Sequence, residues 1–282
     1  MLTTLGKAHS PTFEPAAHSS SLGKVVHTLR RVGRARGVAH ALKVAFGPTL
    51  DNRRIWPMSA EDRELVFWER QVVGVGSYSA ETGQAQLDPA RHDELIPKEV
   101  RPYLSLIPRE GAVLDVGSGP VSRLSGGAHR GEYRLTATDL LTVEYRAMYA
   151  AYGLEHVLDN VTYVPCPAEA LYRQFGAESF DFVTMHNAID HTTSPGATFK
   201  QLVEITKVGG HIVITGHSRE GSNERWQGMH QHDIWLSDGR LMRCGRDGAD
   251  EVCLNAGLPV EYAAGVEPTQ PFGDMAAVFR RL

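Results

Sequence analysis

The stretch Ala112-Val113-Leu114-Asp115-Val116-Gly117-Ser118-Gly119-Pro120 constrains this chain more than any other. An apolar run of strand character leads straight into a turn with glycines at alternate positions, the pattern of a buried strand that stops at a tight loop. Gly117 and Gly119 let backbone approach a ligand with no Cβ in the way. Asp115 sits two residues before the first glycine, where a carboxylate can accept from an ammonium or organise the loop. Beyond Gly119 a second apolar stretch, Tyr133 to Ala137, ends in Thr138-Asp139-Leu140. That spacing sets an acid where it can take both hydroxyls of a ribose. Two acids and two glycines thus bracket one adenosine-type ligand.

A nicotinamide dinucleotide site wants a third glycine three residues after Gly119, so that helix and strand pack closely around a pyrophosphate. Ser122 stands there instead. A ligand without phosphates needs no such crowded turn, and an acid before the first glycine suits a cationic sulfonium with an amino-acid tail. From Asp115 through Gly117, Ser118 and Gly119 to Asp139 and Leu140, and in the order of elements that follows, residues 100 to 282 resemble the class I S-adenosylmethionine-dependent methyltransferases. The resemblance implies an α/β fold, a Rossmann-like seven-stranded mostly parallel sheet with helices on both faces, here preceded by an N-terminal helical cap. It also implies S-adenosyl-L-methionine as cofactor.

Strands are expected at 112 to 116, 133 to 138, 161 to 164, 180 to 185 and 209 to 216, with helices near 120 to 128, 142 to 152, 167 to 175 and 195 to 207. Such alternation means parallel pairing and right-handed crossovers. Ser194 caps the last helix, Pro195 occupies its first turn, and Gly209-Gly210 stops it. Ile234-Trp235-Leu236 and Leu241-Met242 flank Ser237-Asp238-Gly239, a hairpin signal that predicts an insertion near 234–242. A helix over 245 to 256 and closing strands at 259 to 265 and 274 to 280 complete the domain.

Upstream, residues 1 to 21 lack apolar periodicity and read as a flexible arm. Leu22, Val25, Val26, Leu29 and Val32 keep helical spacing while Lys24, Arg30, Arg31, Arg34 and Arg36 crowd the other positions, a basic amphipathic helix over 22 to 43. Ser59 reads as the cap of a helix carrying Leu65 to Trp68, and Gly74 to Thr82 reads as loop. The organisation expected is an arm at 1–21, a helical cap or lid at 22–100 and the cofactor-binding domain at 101–282. By the resemblance, segments before the first strand fold over the cofactor, and Tyr78 is the residue nominated for that contact.

With 282 residues, 42% of them hydrophobic, the chain can bury one substantial core plus an appended segment. A net charge of −4 argues against nucleic acid as the main partner. Cys166, Cys244 and Cys253 have no metal-type spacing, and no signal peptide or apolar run long enough to span a membrane appears. A cytoplasmic enzyme acting on a small molecule is expected, with homodimer formation left open.

Ligands of open α/β sheets sit at the carboxyl ends of the strands. After the third strand, Pro165-Cys166-Pro167-Ala168-Glu169 is similar to the family segment that reads the adenine edge; Pro167 stands where the family usually has Asp, which leaves the Ala168 amide with Glu169 nearby. After the fourth, Met185-His186-Asn187-Ala188-Ile189-Asp190-His191 resembles the segment whose backbone meets the methionine and methyl group, so His186 and Asn187 are assigned to the cofactor. His191 is both a structural and a substrate-contact candidate, and Asp190 is suited to orient a neighbouring imidazole. His217 ends the fifth strand, and His230, His232 and Asp233 follow in a polar loop. Their donor types suit a metal, but no further ligand pair has clear spacing, and no metal is expected.

Methyl transfer from a sulfonium asks the protein to align a nucleophile and exclude water. A hydroxyl acceptor must also lose a proton, for which imidazole is matched near neutral pH. His186, His191, His217 and His230 around one mouth therefore favour an oxygen acceptor, a hydroxyl or carboxyl of a natural product or sugar-like compound. Nitrogen or carbon acceptors, a nicotinamide-dependent reductase and a non-catalytic binding protein are the alternatives.

Overall fold

The strand that precedes the glycine turn becomes the middle of the sheet, because its residues are apolar on both faces. Ala112–Val116 (β1) pairs in parallel with Arg134–Asp139 (β2) on one side and Phe180–His186 (β4) on the other. In the computed structural model, which describes residues 21–52, 54, 57–76, 80–246, 248, 250–268 and 272–282, the seven-stranded sheet runs β3-β2-β1-β4-β5-β10-β9. Val161–Pro165 (β3) and Thr206–His217 (β5) are parallel to their neighbours; Asp274–Arg281 (β10) lies antiparallel between β5 and Val260–Val266 (β9). The strand order reverses between β1 and β4, so the crevice for a ligand opens at their carboxyl ends.

Alternate residues of the same strands feed two apolar layers. Leu114, Val183, Ile212 and Phe279 face one way, onto Phe199, Leu202 and Ile205 of Pro195–Ile205 (α8) and Leu171 of Leu171–Phe175 (α7). Val113, Phe182, Val213 and Val278 face the other, toward Leu124 and Ala128 beside the short helix Ser125–His129 (α5). Thr142–Ala151 (α6) follows β2, and its Tyr145, Met148 and Tyr149 form the floor on which the N-terminal region packs.

That region consists of Ser21–Arg36 (α1), Val38–Asn52 (α2), Ala60–Val72 (α3) and Ala80–Leu87 (α4). Instead of one helix over 22 to 43, α1 and α2 meet at Gly37, whose φ of +86° a right-handed helix cannot contain. Ser59 caps α3, its side chain accepting the Asp62 amide at 3.1 Å. Glu69, only 2% exposed, ties three parts together: it accepts from the Tyr152 hydroxyl at 2.6 Å, meets His40 Nε2 at 2.6 Å and lies 3.8 Å from Arg36. Its carboxyl is held below the usual range, the bonds from His40 and Tyr152 overcoming the upward effect of burial. The expected arm lies outside the described residues except for Ser21, which starts α1, and Tyr78 lies outside them as well.

Other expectations need correction. Residues 120–124 form a turn rather than the start of a helix, because the Ser122 hydroxyl accepts the Leu124 amide at 3.2 Å. Helix α8 ends at Ile205, before Gly209, and β5 begins at Thr206, with an irregular register against β4 around Phe180 and Phe182. No helix spans 245–256 among the described residues. Gly248 has φ +66°, and Val252–Cys253 (β8) adds to Arg240–Cys244 (β7), the second strand of the expected hairpin with Asp233–Ser237 (β6). The Asn255 side chain accepts the Leu241 amide at 2.9 Å and fastens this third strand. Among the described residues no helix is long and apolar enough to cross a membrane.

Phe279 is fully buried and meets the Phe199 ring edge-on at a centroid distance of 5.2 Å. Phe279→Ala is expected to lower unfolding stability by about 3–5 kcal/mol in urea titrations, the usual cost of emptying an aromatic core site.

Candidate functional site

Both glycines of the opening turn hold left-handed backbone, φ +65° at Gly117 and +63° at Gly119, so the turn forms where only a residue without Cβ is unstrained. A Cβ on Gly117 would lie 2.5 Å from Ala188 Cβ, and one on Gly119 would touch the Trp68 ring at 3.0 Å. The turn is therefore closed in by the segment after β4 on one side and by α3 on the other. Beneath it Asp115 is 4% exposed, and its Oδ2 accepts the Ser122 hydroxyl at 2.6 Å. Burial pushes the Asp115 carboxyl up to about 6 against the bond from Ser122.

Asp139 faces the same turn from the end of β2. Its two oxygens accept the Gly119 amide at 3.0 Å and the Leu141 amide at 2.9 Å, and burial pushes this carboxyl up to about 6 as well. Each oxygen thus uses one lone pair on backbone and keeps another for a ligand. Leu140, 54% exposed, stands beside it, and the register that pairs Asp139 with Pro165 brings Ala168 to the neighbouring strand end. Glu169 is engaged elsewhere, accepting the Thr193 and Ser194 amides at 2.8 and 3.3 Å before α8. The Ser118 hydroxyl bonds to the Gly119 carbonyl at 3.0 Å.

After β4 the backbone of Asn187 turns left-handed (φ +49°), its amide donating to Thr215 O at 2.8 Å and its side-chain oxygen accepting the His217 amide at 3.1 Å. His186 Nδ1 lies 2.8 Å from the Thr215 hydroxyl, and burial, with Arg123 and His217 nearby, drives the imidazole well below its ordinary value. A neutral His186 can shape the site but is a weak base. His217 is half-exposed, with Nδ1 2.8 Å from Asp274 of β10.

The histidines that do come together are His191 and His230. His230 Nδ1 is 2.8 Å from Asp190 Oδ2 and 3.1 Å from His191 Nε2, with the two rings edge-on at 4.5 Å. A carboxylate can only accept, so the proton sits on His230 Nδ1, and Nε2 keeps its lone pair. Burial pulls His230 down, but the bond and charge of Asp190, with Glu220 and Glu224 behind them, raise it above the ordinary imidazole value. His232 and Asp233 serve the framework: His232 Nε2 donates to Thr192 O at 3.1 Å, and Asp233 accepts the Ser222 amide and hydroxyl at 2.7 and 2.6 Å.

His230 also lines a cavity of about 550 Å³. Arg63, Glu64 and Phe67 contribute from α3, Met58 from the connection before it, and Glu224 and Met229 from the loop after Glu220–Asn223 (α9). Arg63 is paired with Asp51 at 2.6 Å, and Arg70 donates to Val44 O at 3.0 Å, so both guanidinium groups brace the wall. The sequence did not single out this wall, Trp68 or Glu220. Trp68 reads as one more core aromatic of an apolar run, and Glu220 as one acid of a polar loop; only packing gives either a place in the site.

The description "Methyltransferase domain" belongs to the family model that residues 114–214 match. Among solved structures, the chain is similar to a putative sarcosine dimethylglycine methyltransferase from Galdieria sulphuraria (13% identity, TM-score 0.51, 77% of this chain and 98% of that one). It is also similar to the [4+2]-cyclase SpnF (14% identity, TM-score 0.50, 79% and 94%). At such identities the likeness concerns the fold alone. No curated protein sequence matches the chain.

The raised carboxyl of Asp115 has a consequence for stability. Its unfolded-state value is near 3.8 and its folded value about 6, so the folded chain favours the neutral acid over the ionised one. Stability from this group is complete below pH 4 and is lost as pH rises through 6. Relative to wild type, Asp115→Asn is expected to gain about 3 kcal/mol between pH 4 and 7, read from urea titrations at each pH.

Proposed function

We propose that the chain, whose residues 114–214 match the methyltransferase-domain family model, is a class I S-adenosylmethionine-dependent methyltransferase and that it methylates an oxygen of a small molecule held beside His230. The observation that carries this reading is the Asp190–His230 pair, with Nδ1 bonded to the carboxylate and the imidazole on the cavity wall. The fit to the cofactor rests on the left-handed glycine turn and on the two carboxylates at it, Asp115 beneath and Asp139 with an accepting lone pair left on each oxygen.

Asp139, with an accepting lone pair left on each oxygen, would take the ribose hydroxyls; Leu140 and the Ala168 amide would flank the base; Gly117, Ser118 and Asn187 would border the amino-acid tail. When bound, S-adenosylmethionine supplies an electrophilic methyl group. Trp68 over Gly119 and the wall of α3 exclude water from the site, which also keeps polar interactions strong there. The acceptor hydroxyl passes its proton to His230 Nε2, and Asp190 stabilises the imidazolium that results. His191 contacts the same Nδ1 and helps to fix the ring. His217, paired with Asp274, and His186, held neutral, are not needed as bases. Glu224 beside His230 favours as a second reading an ammonium-bearing acceptor, methylated at nitrogen.

The acceptor class is tested by mass spectrometry of compound libraries incubated with methyl-labelled cofactor: methyl ethers or esters support the oxygen reading, methylamines the second, and an unlabelled rearranged product would place the chain with non-transferring relatives of its fold. His230→Ala is expected to lower kcat by about 10²- to 10⁴-fold with S-adenosylhomocysteine binding unchanged by calorimetry. The acid limb of the kcat profile should lie above the ordinary imidazole value and move down in Asp190→Asn.

Asp139 supplies an independent check on the cofactor. Its carboxylate must be ionised to accept from both hydroxyls, and its value is raised to about 6. Affinity for S-adenosylhomocysteine is expected to fall as pH drops below 6, and Asp139→Asn to weaken binding and flatten that dependence.

A further inference from the structure

Asp190 Oδ2, His191 Nε2 and His230 Nδ1 form a triangle with edges of 2.8, 3.1 and 3.7 Å. Edges of this size bracket the roughly 3.3 Å between donor atoms that sit on one metal ion at about 2.0–2.1 Å in a tetrahedral arrangement. Asp190 Oδ2 and His191 Nε2 can each offer a lone pair to an ion, and His230 Nδ1 can do so once the proton it shares with Asp190 leaves. This is the one such convergence of metal-donor side chains among the described residues. Asp190 is buried, while His191 and His230 are 19% and 22% exposed at the side chain, so an ion has a route in.

A second observation comes from Glu220. It is 8% exposed, and its Oε2 is buried with no hydrogen-bond partner, although an unpaired buried carboxylate oxygen is costly. Asp190 and His230 are both close enough to act on its charge. Asp190 and Glu220 thus bring two carboxyl groups close to His230.

We propose that Asp190, His191 and His230 form a binding site for a divalent first-row transition metal of the zinc type, with Glu220 as its neighbouring counter-charge. Two imidazoles and one carboxylate select such an ion over magnesium or calcium, which want all-oxygen shells. The metal and the Nδ1 proton compete for the same lone pair, so binding releases a proton and the metal-bound form of His230 carries its proton on Nε2. Site and base are therefore mutually exclusive, and micromolar zinc would act as a reversible inhibitor. The site rests on geometry alone; its effect on turnover rests on the base assignment above.

Calorimetric titration of zinc into the chelator-treated full chain, without cofactor or acceptor, tests the site independently of methyl transfer. One equivalent is expected to bind with micromolar affinity, and affinity to drop by at least about 100-fold in His191→Gln and in Asp190→Asn, beyond what losing a mere supporting partner costs. Circular dichroism establishes that the variants fold. Cobalt(II) bound to the wild-type chain should give ligand-field bands without a sulfur-to-metal charge-transfer band. Absence of stoichiometric binding, equal affinity in folded variants, or a thiolate band that places the ion on a cysteine would each overturn the proposal.

Discussion

The hydrogen bond from the Ser122 hydroxyl to the buried carboxylate of Asp115 is the interaction on which the site depends. It links the last turn of the central strand to the chain beyond the glycines at 2.6 Å, in surroundings where that carboxyl is pushed up to about 6. Ser122 also takes the Leu124 amide, so one hydroxyl fixes both the strand end and the entry to α5. The position at which a dinucleotide fold would keep a glycine for close packing is here a polar anchor. The chain beyond it turns before α5 begins at Ser125.

From that anchor the geometry spreads outward. Asp139 bonds the Gly119 amide from the next strand, and Trp68 closes over the same residue from α3, so the turn is held by a carboxylate below and an aromatic ring above. The indole N–H of Trp68 donates in turn to Glu64 at 2.6 Å, and the adjacent Glu69, through its bonds to His40 and Tyr152, joins α2, α3 and the end of α6. A buried carboxylate without partners would be strongly destabilising; here each bond it accepts also registers one helix against another. The N-terminal helices are thus a wall of the cavity that His230 lines as well as a cover for α6.

On the other side of the crevice, Asp190 and His230 lie far apart in sequence and meet because the segment after β4 and the loop before β6 are fastened together. Gln231 N donates to Asp190 O at 3.1 Å, and His232 Nε2 donates to Thr192 O. Two framework bonds on the residues following His230 therefore set the imidazole against its carboxylate. The same constraint brings three metal-donor atoms together, which is why the proposed proton transfer and metal binding would compete there.

Much of the sheet was legible from residues. Apolar runs at β1 to β5, β9 and β10, the hairpin at Ser237-Asp238-Gly239 and the caps Ser59 and Ser194 follow from local rules, because strand alternation, turn chemistry and capping act over a few residues. The acids at 115 and 139 were legible for the same reason: each sits at a fixed distance from a glycine turn. The non-helical segment around Val252 and the placement of His217 against Asp274 were not, since each is decided by pairing with another strand, and the break at Gly37 was not because apolar spacing continues across it. The sequence by itself determined which strand ends would carry acids and glycines. Only the tertiary structure decided which histidines share a carboxylate, which aromatic covers the turn and where the cavity opens, because those contacts join segments whose separation along the chain carries no periodic signal.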